Sequence, residues 1–212
     1  MNQTVSFWKQ WISLQLKHNL ARITQLSIKN FHAPGLNYMC FDFAPHQTIR
    51  LYIIEPKDHL DSTHINIHNH LYDSQLLVLK GNLVNNVWKL DNDPNATPQY
   101  NIYSLTSALH PDNKEKQIKL KLITKRGLKL HKQIHLGPGD SHFQKYTEIH
   151  NVANDPSKLT AFMVFEFPTV TERSRIFTTT DYGDTLPTPN AYLKYSKGEL
   201  KSLVGNLLDN LE

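Results

Sequence analysis

The stretch "HINIHNHLYDSQLLVLKG", residues 64–81, holds three of the chain's twelve histidines within its first seven residues and then becomes apolar up to Gly81. In an extended strand alternate side chains share a face, so polar residues here alternate with isoleucines that point the other way. The polar residues are His64, Asn66, His68 and His70. At about 3.3 Å per residue, His68 and His70 lie about 6.6 Å apart, so both imidazoles can reach one ion at about 2.1 Å. The stretch predicts two ligands of a metal site, and surface or packed histidines are the alternative.

The sequence around this stretch is typical of a β protein. Between Leu36 and Phe177, short alternating apolar runs are separated by turn residues, which predicts about ten strands in a sandwich or barrel. The run 113–133 alternates lysine with isoleucine or leucine, and it predicts an exposed antiparallel hairpin with Gly127 among its turn residues. The fold class is therefore predicted to be mainly all-β.

Both ends of the chain have helical patterns. Apolar residues recur at helical spacing from Val5 to Ile23. Ser196 and Glu199 form a capping-box sequence before a leucine-rich helix. We predict a helical segment over 1–30 packed on the barrel, a barrel over 31–180, and a loop and helix over 181–212. Packing of Trp8 and Trp11 within the chain is favoured over a dimer contact.

Composition limits the function classes. The 212 residues carry a net charge of +4 with a pI near 9.0, but the cations are spread along the chain and no aromatic residues interleave with the lysines. This pattern predicts neither nucleic acid nor a membrane as partner. Cys40 is the single cysteine, and the N-terminus does not resemble a signal peptide. We expect a cytoplasmic protein, monomeric or homodimeric, that acts on a small molecule.

A third ligand must come from another strand. The best candidate is His150 in "YTEIHNVAND", residues 146–155, where Glu148 shares its face. Glu148 is interpreted as a fourth ligand or a base near the metal, or else as a solvent-facing carboxylate. His142 is a further candidate, followed by His131 and His135. Asp73 could orient an imidazole or cap a turn.

Together these motifs resemble the cupin superfamily over roughly residues 50–167. The first cupin motif is H-x-H followed by an apolar strand that ends at glycine, and His68, His70 and Gly81 match it. The second ends in a histidine followed four positions later by asparagine, as His150 and Asn154 do. The resemblance implies a double-stranded β-helix, a jelly-roll barrel with a metal site in its mouth.

The chain departs from the usual cupin pattern in one informative way. The glutamate expected four or five positions after the second histidine is replaced by Ser74 or Gln75. This leaves three neutral imidazoles, which is similar to the cysteine dioxygenase type of thiol oxygenase. That resemblance implies Fe(II), and Ni, Zn, Cu and Mn are alternatives because imidazole suits several of these ions.

The same resemblance directs attention to two further positions. Thiol dioxygenases hold a substrate carboxylate with an arginine, and Arg50 is the candidate here by its chemistry rather than by a matched position. They also commonly place a tyrosine near the iron, where this chain has Phe167. The implied function is a mononuclear non-haem iron oxygenase, with a thiol as one substrate class. The alternatives are a metal-dependent isomerase or lyase, and a cupin that binds a ligand without catalysis.

Overall fold

The structure is a computed structural model that describes residues 3–31, 35–44, 47–56, 67–105, 120–183 and 193–211. In these ranges it has helices α1 (Gln3–Leu26) and α2 (Lys197–Asn210). The first strands are β1 (Ile28–Lys29), β2 (Asn37–Ala44), β3 (Gln47–Ile54), β4 (Ile67–His68), β5 (Tyr72–Lys80), β6 (Leu83–Leu90) and β7 (Gln99–Leu105). They are followed by β8 (Leu120–Leu136), β9 (Ser141–Gln144), β10 (Ile149–Asn154), β11 (Thr160–Thr169), β12 (Ser174–Thr178) and β13 (Leu193–Lys194).

The strands form two antiparallel sheets. Sheet A has the order β13-β1-β2-β3-β11-β5-β9, and sheet B closes on itself in the order β10-β4-β12-β7-β8-β6. From β3 to β6, and again from β8 to β12, successive strands alternate between the two sheets, as the winding of a jelly roll requires. The predicted mainly β architecture, with a helix at either end, is confirmed.

The helices cover the outer face of sheet A. Apolar side chains of α1 and α2 pack on those of β2, β3, β5 and β11 in one cluster. Trp8 lies 5.0 Å from Phe165 and Trp11 lies 5.1 Å from Phe41 between ring centroids, so both tryptophans pack within the chain as predicted. The predicted capping box is formed, since the Ser196 side chain accepts from the backbone of Glu199 and the Glu199 side chain accepts from the backbone of Ser196.

A second cluster fills the space between the sheets. It joins residues of sheet A, such as Tyr52 and Phe162, to residues of sheet B, such as Leu83 and Val152. Cys40, the single cysteine of the chain, is buried in the same cluster. Alternate residues of a strand share a face, so a polar residue two positions from a member of this cluster also points between the sheets.

The described part of the lysine-rich run, residues 120–133, lies within the single strand β8 and not in a hairpin, so that prediction was wrong. The first half of β8 pairs with β7 and its second half pairs with β6, with Gly127 opposite Gln99 in the middle of the strand. A Cβ atom at Gly127 would lie 2.5 Å from the Cβ of Ala96. The glycine therefore permits a close approach between the strand and the loop before β7, rather than a turn.

Gly81 does form the turn that the sequence predicts. Its φ is +73°, which favours glycine, and a Cβ there would lie 2.5 Å from the carbonyl oxygen of Leu159.

None of the described helices is both long enough and apolar enough to cross a bilayer.

Candidate metal centre

The three predicted imidazoles meet in space. His150 of β10 lies directly opposite His68 of β4, and His70 follows two residues after His68. Ring centroids are 4.8 Å apart for 68–70, 4.8 Å for 68–150 and 5.0 Å for 70–150. Across the part of the chain that the structure describes, this is the one group of three or more His, Cys, Asp or Glu able to share an ion. One ligand atom from each lies within 4.8 Å of the others.

The group lies at the inner side of sheet B. His150 lies two residues before Val152 on β10, so the two side chains share a face, and Val152 belongs to the cluster between the sheets. Only 5% of the surface of His150 is exposed. Ile67 points the opposite way and is buried in a separate cluster of sheet B, as the alternation predicts. His64 and Asn66, the other polar residues of the opening stretch, lie outside the described residues.

The distances suit ligands of one ion. Nε2 of His70 and Nε2 of His150 are 2.9 Å apart. Two ligand atoms at about 2.1 Å from an ion and about 90° apart would be separated by about 3.0 Å. Burial, together with the nearby rings of His68, His70 and His142, holds the pKa of His150 well below its ordinary value. The ring is therefore neutral at pH 7, as a metal ligand must be.

Glu148 lies beside this group and is not a member of it. Its Oε1 is 3.3 Å from Nδ2 of Asn85 and 3.1 Å from Nε2 of His142. Asn85 in turn places Oδ1 2.7 Å from Nδ1 of His150. The four side chains form a hydrogen-bonded series from His150 to His142, so Glu148 is neither solvent-facing nor one of the grouped ligands.

Arg50 faces the same interior from sheet A. Arg50 lies two residues before buried Tyr52 on β3, so the two side chains share a face. Nε of Arg50 lies 2.6 Å from Oε1 of Glu166. Burial lowers the pKa of Arg50, but the Glu166 carboxylate and the neighbouring tyrosines together outweigh burial and raise that pKa well above its ordinary value. The guanidinium carbon also lies 5.4 Å from the ring centre of Tyr38 and 5.8 Å from that of Tyr72.

Tyr72 connects the two groups and was missed by the sequence reasoning. Its ring lies 5.4 Å from that of His70, and burial raises its pKa well above the ordinary value, so the phenol keeps its proton. The signal was present, because Tyr72 continues the period-two series of His68 and His70. Phe167, where the tyrosine was sought, is 40% exposed and packs 6.0 Å from Phe143.

The other candidates have different roles. Asp73 Oδ1 accepts from the backbone N–H of Tyr146 at 2.7 Å, so it caps the turn before β10. His142 bonds to Glu148 and is not in the group of three. His131 and His135 are exposed on β8.

No family model matches the chain, and no curated protein matches it. Solved structures similar to it include hydroxypropylphosphonic acid epoxidase from S. wedmorenis, at 17% identity and TM-score 0.35, covering 66% of this chain and 54% of that one. A cupin superfamily protein from Desulfitobacterium hafniense matches at 12% identity and TM-score 0.33, covering 66% and 97%. Streptomyces albus HEPD, with 2-hydroxyethylphosphonate and Fe(II) bound, matches at 14% and 0.35, covering 65% and 22%.

The chain thus spans about half the length of the epoxidase that it matches. Cupins are among the structures to which it is similar. At these TM-scores the likeness carries no argument about substrate or reaction.

Proposed function

We propose that His68, His70 and His150 hold one divalent metal ion, and that the chain is a mononuclear non-haem iron oxygenase acting on a small molecule. The observation that carries the proposal is the meeting of three imidazoles from two segments distant in sequence, β4 with the residues just after it and β10, with 2.9 Å between two Nε2 atoms. Neutral imidazoles can hydrogen-bond to one another, but three of them with one ligand atom each within 4.8 Å of the others also present the nitrogen donors that a divalent ion binds.

Fe(II) is the proposed ion, since three imidazoles suit it and leave coordination positions open. Bound there, it would supply redox chemistry with O₂, which the side chains themselves cannot provide. Ni, Zn, Cu and Mn remain alternatives, because imidazole binds each of them. A single ion held by nitrogen ligands alone would keep its full positive charge and would favour a substrate with an anionic donor atom, such as a thiolate.

Arg50 and Tyr72 are the proposed contacts for the rest of the substrate. Tyr72 lies against His70, and its protonated hydroxyl hydrogen-bonds to the Glu166 side chain, so a substrate bound beside His70 would compete with Glu166 for it. A guanidinium carries five N–H donors; Nε of Arg50 faces Oε1 of Glu166, and the guanidinium also hydrogen-bonds to Tyr52. Because Glu166 already balances the charge of Arg50, a carboxylate on the substrate would have to share the guanidinium with it. Zwitterionic and neutral thiols are therefore both reasonable candidates.

The test begins with metal content. Protein purified without a histidine tag should hold close to one equivalent of a divalent ion after loading, and a His68→Leu/His150→Leu variant should hold none. Content below about a tenth of an equivalent in the native chain would reject the metal proposal.

Oxygen uptake then tests the reaction. The Fe(II)-loaded chain should consume O₂ with at least one member of a panel of thiols with and without carboxylates, at a rate absent from the two-histidine variant. A metal-binding chain with no uptake above that control would reject the oxygenase and leave isomerase, lyase or ligand-binding functions.

A further inference from the structure

The hydrogen-bonded series that runs from His150 through Asn85 and Glu148 to His142 determines which nitrogen of His150 is free to bind. We propose that Glu148 and Asn85 are positioning residues that fix His150 with its proton on Nδ1 and its lone pair on Nε2. This inference rests on the proposed metal site for its purpose, although the proton position can be measured without any metal.

Glu148 fixes the orientation of the Asn85 side-chain amide. A carboxylate can only accept hydrogen bonds, so both groups facing its Oε1 must donate. One is Nε2 of His142, at 3.1 Å, and the other is the side-chain amide of Asn85, at 3.3 Å. The amide must therefore present its NH₂ group to Glu148, because the reverse orientation would set two acceptor oxygens against each other.

This orientation leaves Oδ1 of Asn85 facing His150. Its distance to Nδ1 of His150 is 2.7 Å, and Asn85 is fully buried, so water cannot replace this contact. An amide oxygen accepts, and Nδ1 must then carry the proton. A neutral imidazole has one proton, so Nε2 of His150 keeps its lone pair.

The proton placement on Nδ1 determines what Nε2, on the other side of the His150 ring, presents to the imidazole group. Nε2 is the atom that lies 2.9 Å from Nε2 of His70, and it therefore points into the imidazole group. A ring with the opposite proton placement would present an N–H to the ion. Metal-bound histidines commonly have the other nitrogen fixed by such a partner, and loss of that partner typically lowers metal affinity about 10–100-fold.

The proton position is measured on the metal-free chain. Long-range ¹H–¹⁵N NMR of protein labelled in histidine, with His150 assigned by the signal missing from a His150→Gln variant, separates protonated from unprotonated ring nitrogens. We expect Nδ1 protonated and Nε2 unprotonated. The opposite pattern in the native chain would overturn the inference, whether or not the chain binds metal.

Variants test the two positioning residues. Asn85→Leu removes the acceptor for Nδ1, and Glu148→Leu removes the group that orients the amide, so each should give a mixture of the two proton placements. Each should also weaken binding of Co(II), used as the probe, and Asn85→Leu by about 10–100-fold. A native proton placement in both variants would contradict the proposed roles.

An exchange of the two groups gives the sharpest test. In Asn85→Asp/Glu148→Gln, the new carboxylate would accept from His150, and a glutamine that turns its NH₂ group toward position 85 and its Oε1 toward His142 would restore a donor for every acceptor along the series. The series is complete again, so proton placement and Co(II) affinity should both recover. Failure of the double variant to recover either property, when it is folded, would overturn the inference.

Asn86→Leu is the matched control. Asn86 neighbours Asn85 on β6 but points to the other face, where its Oδ1 accepts from Gln133. The same substitution one residue away should leave the proton placement of His150 and the Co(II) affinity unchanged. If the native chain binds no Co(II) while His150 has the expected proton placement, the metal proposal fails and the positioning series stands.

Discussion

Two polar groups lie in the interior between the sheets, and they differ in whether they contain opposite charges. The ion-pair group consists of Arg50, Glu166 and Thr48, in which the two charges lie 2.6 Å apart and the Thr48 hydroxyl donates to the same carboxylate. The imidazole group, His68, His70 and His150, contains no opposite charge. Tyr72 lies between the two, against both His70 and the Arg50 guanidinium.

Because only the ion-pair group contains opposite charges, the two groups have different expected roles. The ion-pair group contributes to the fold in any state of the protein, because its charges neutralise each other. The imidazole group combines one buried ring, His150, with two half-buried rings, and contains no carboxylate of its own to balance the charge of a cation. Only the second group should respond to added metal.

Breaking the ion pair should produce the largest effect. Arg50→Leu leaves the Glu166 carboxylate, which is 9% exposed, without its partner, and we expect a loss of about 3–5 kcal/mol in the free energy of unfolding. The double variant Arg50→Leu/Glu166→Leu removes both charges and should recover most of that loss. Urea unfolding at pH 7 measures both, and a double variant no more stable than the single one would contradict a self-contained pair.

Added metal should stabilise the chain through the imidazole group. A divalent ion at a hundred times its Kd should raise the free energy of unfolding by about 2.7 kcal/mol. His68→Leu should remove this gain, whereas Arg50→Leu/Glu166→Leu should keep it. The measurement is thermal or urea unfolding with and without Co(II), and an equal gain in the His68 variant would show that the ion binds elsewhere.

Mild acidification should act on the imidazole group through His150. The pKa of His150 is lowered in the folded chain, so below pH about 6.5 the unfolded chain binds more protons than the folded one. The free energy of unfolding of the metal-free chain should therefore fall as pH falls below 6.5, by at most about 1.4 kcal/mol per pH unit from this residue.

The fall should continue until the folded-state pKa is reached, and Arg50, whose pKa is raised, stays charged throughout. His150→Gln should show a shallower fall between pH 6.5 and 5. An identical pH dependence in the variant and the native chain would contradict a neutral, buried His150.

Thr48→Val should give the smallest effect. It removes one hydrogen bond to Glu166 and leaves the ion pair, so we expect a loss of about 1 kcal/mol in stability. The metal-induced gain should be unchanged. A reduced gain would mean that the two groups are coupled through Tyr72 more strongly than their contacts indicate.

Much of the site could be predicted from local patterns. Strand alternation predicts that His68 and His70 share a face, and the second motif supplies His150. The capping box at Ser196 and the turn at Gly81 are also local, because each depends on a few neighbouring residues. Periodicity predicts which face a side chain occupies, and it does so well when that face is buried.

The rest depends on contacts between strands that are distant in sequence. Glu166 could not be assigned to Arg50 without knowing that β11 pairs with β3. The sequence does contain a signal for Asn85, since it is a polar residue between Leu83 and Val87 on the inward face of β6. Gly127 was misinterpreted as a turn residue, since a glycine needed for close packing looks the same in sequence.

X-ray absorption on the Fe(II)-loaded, untagged chain shows whether His68, His70 and His150 bind one cation. We expect three imidazole nitrogens at about 2.1 Å from the iron, and fewer in His150→Gln. Iron with no imidazole ligands, or a spectrum unchanged by His150→Gln, would contradict this expectation.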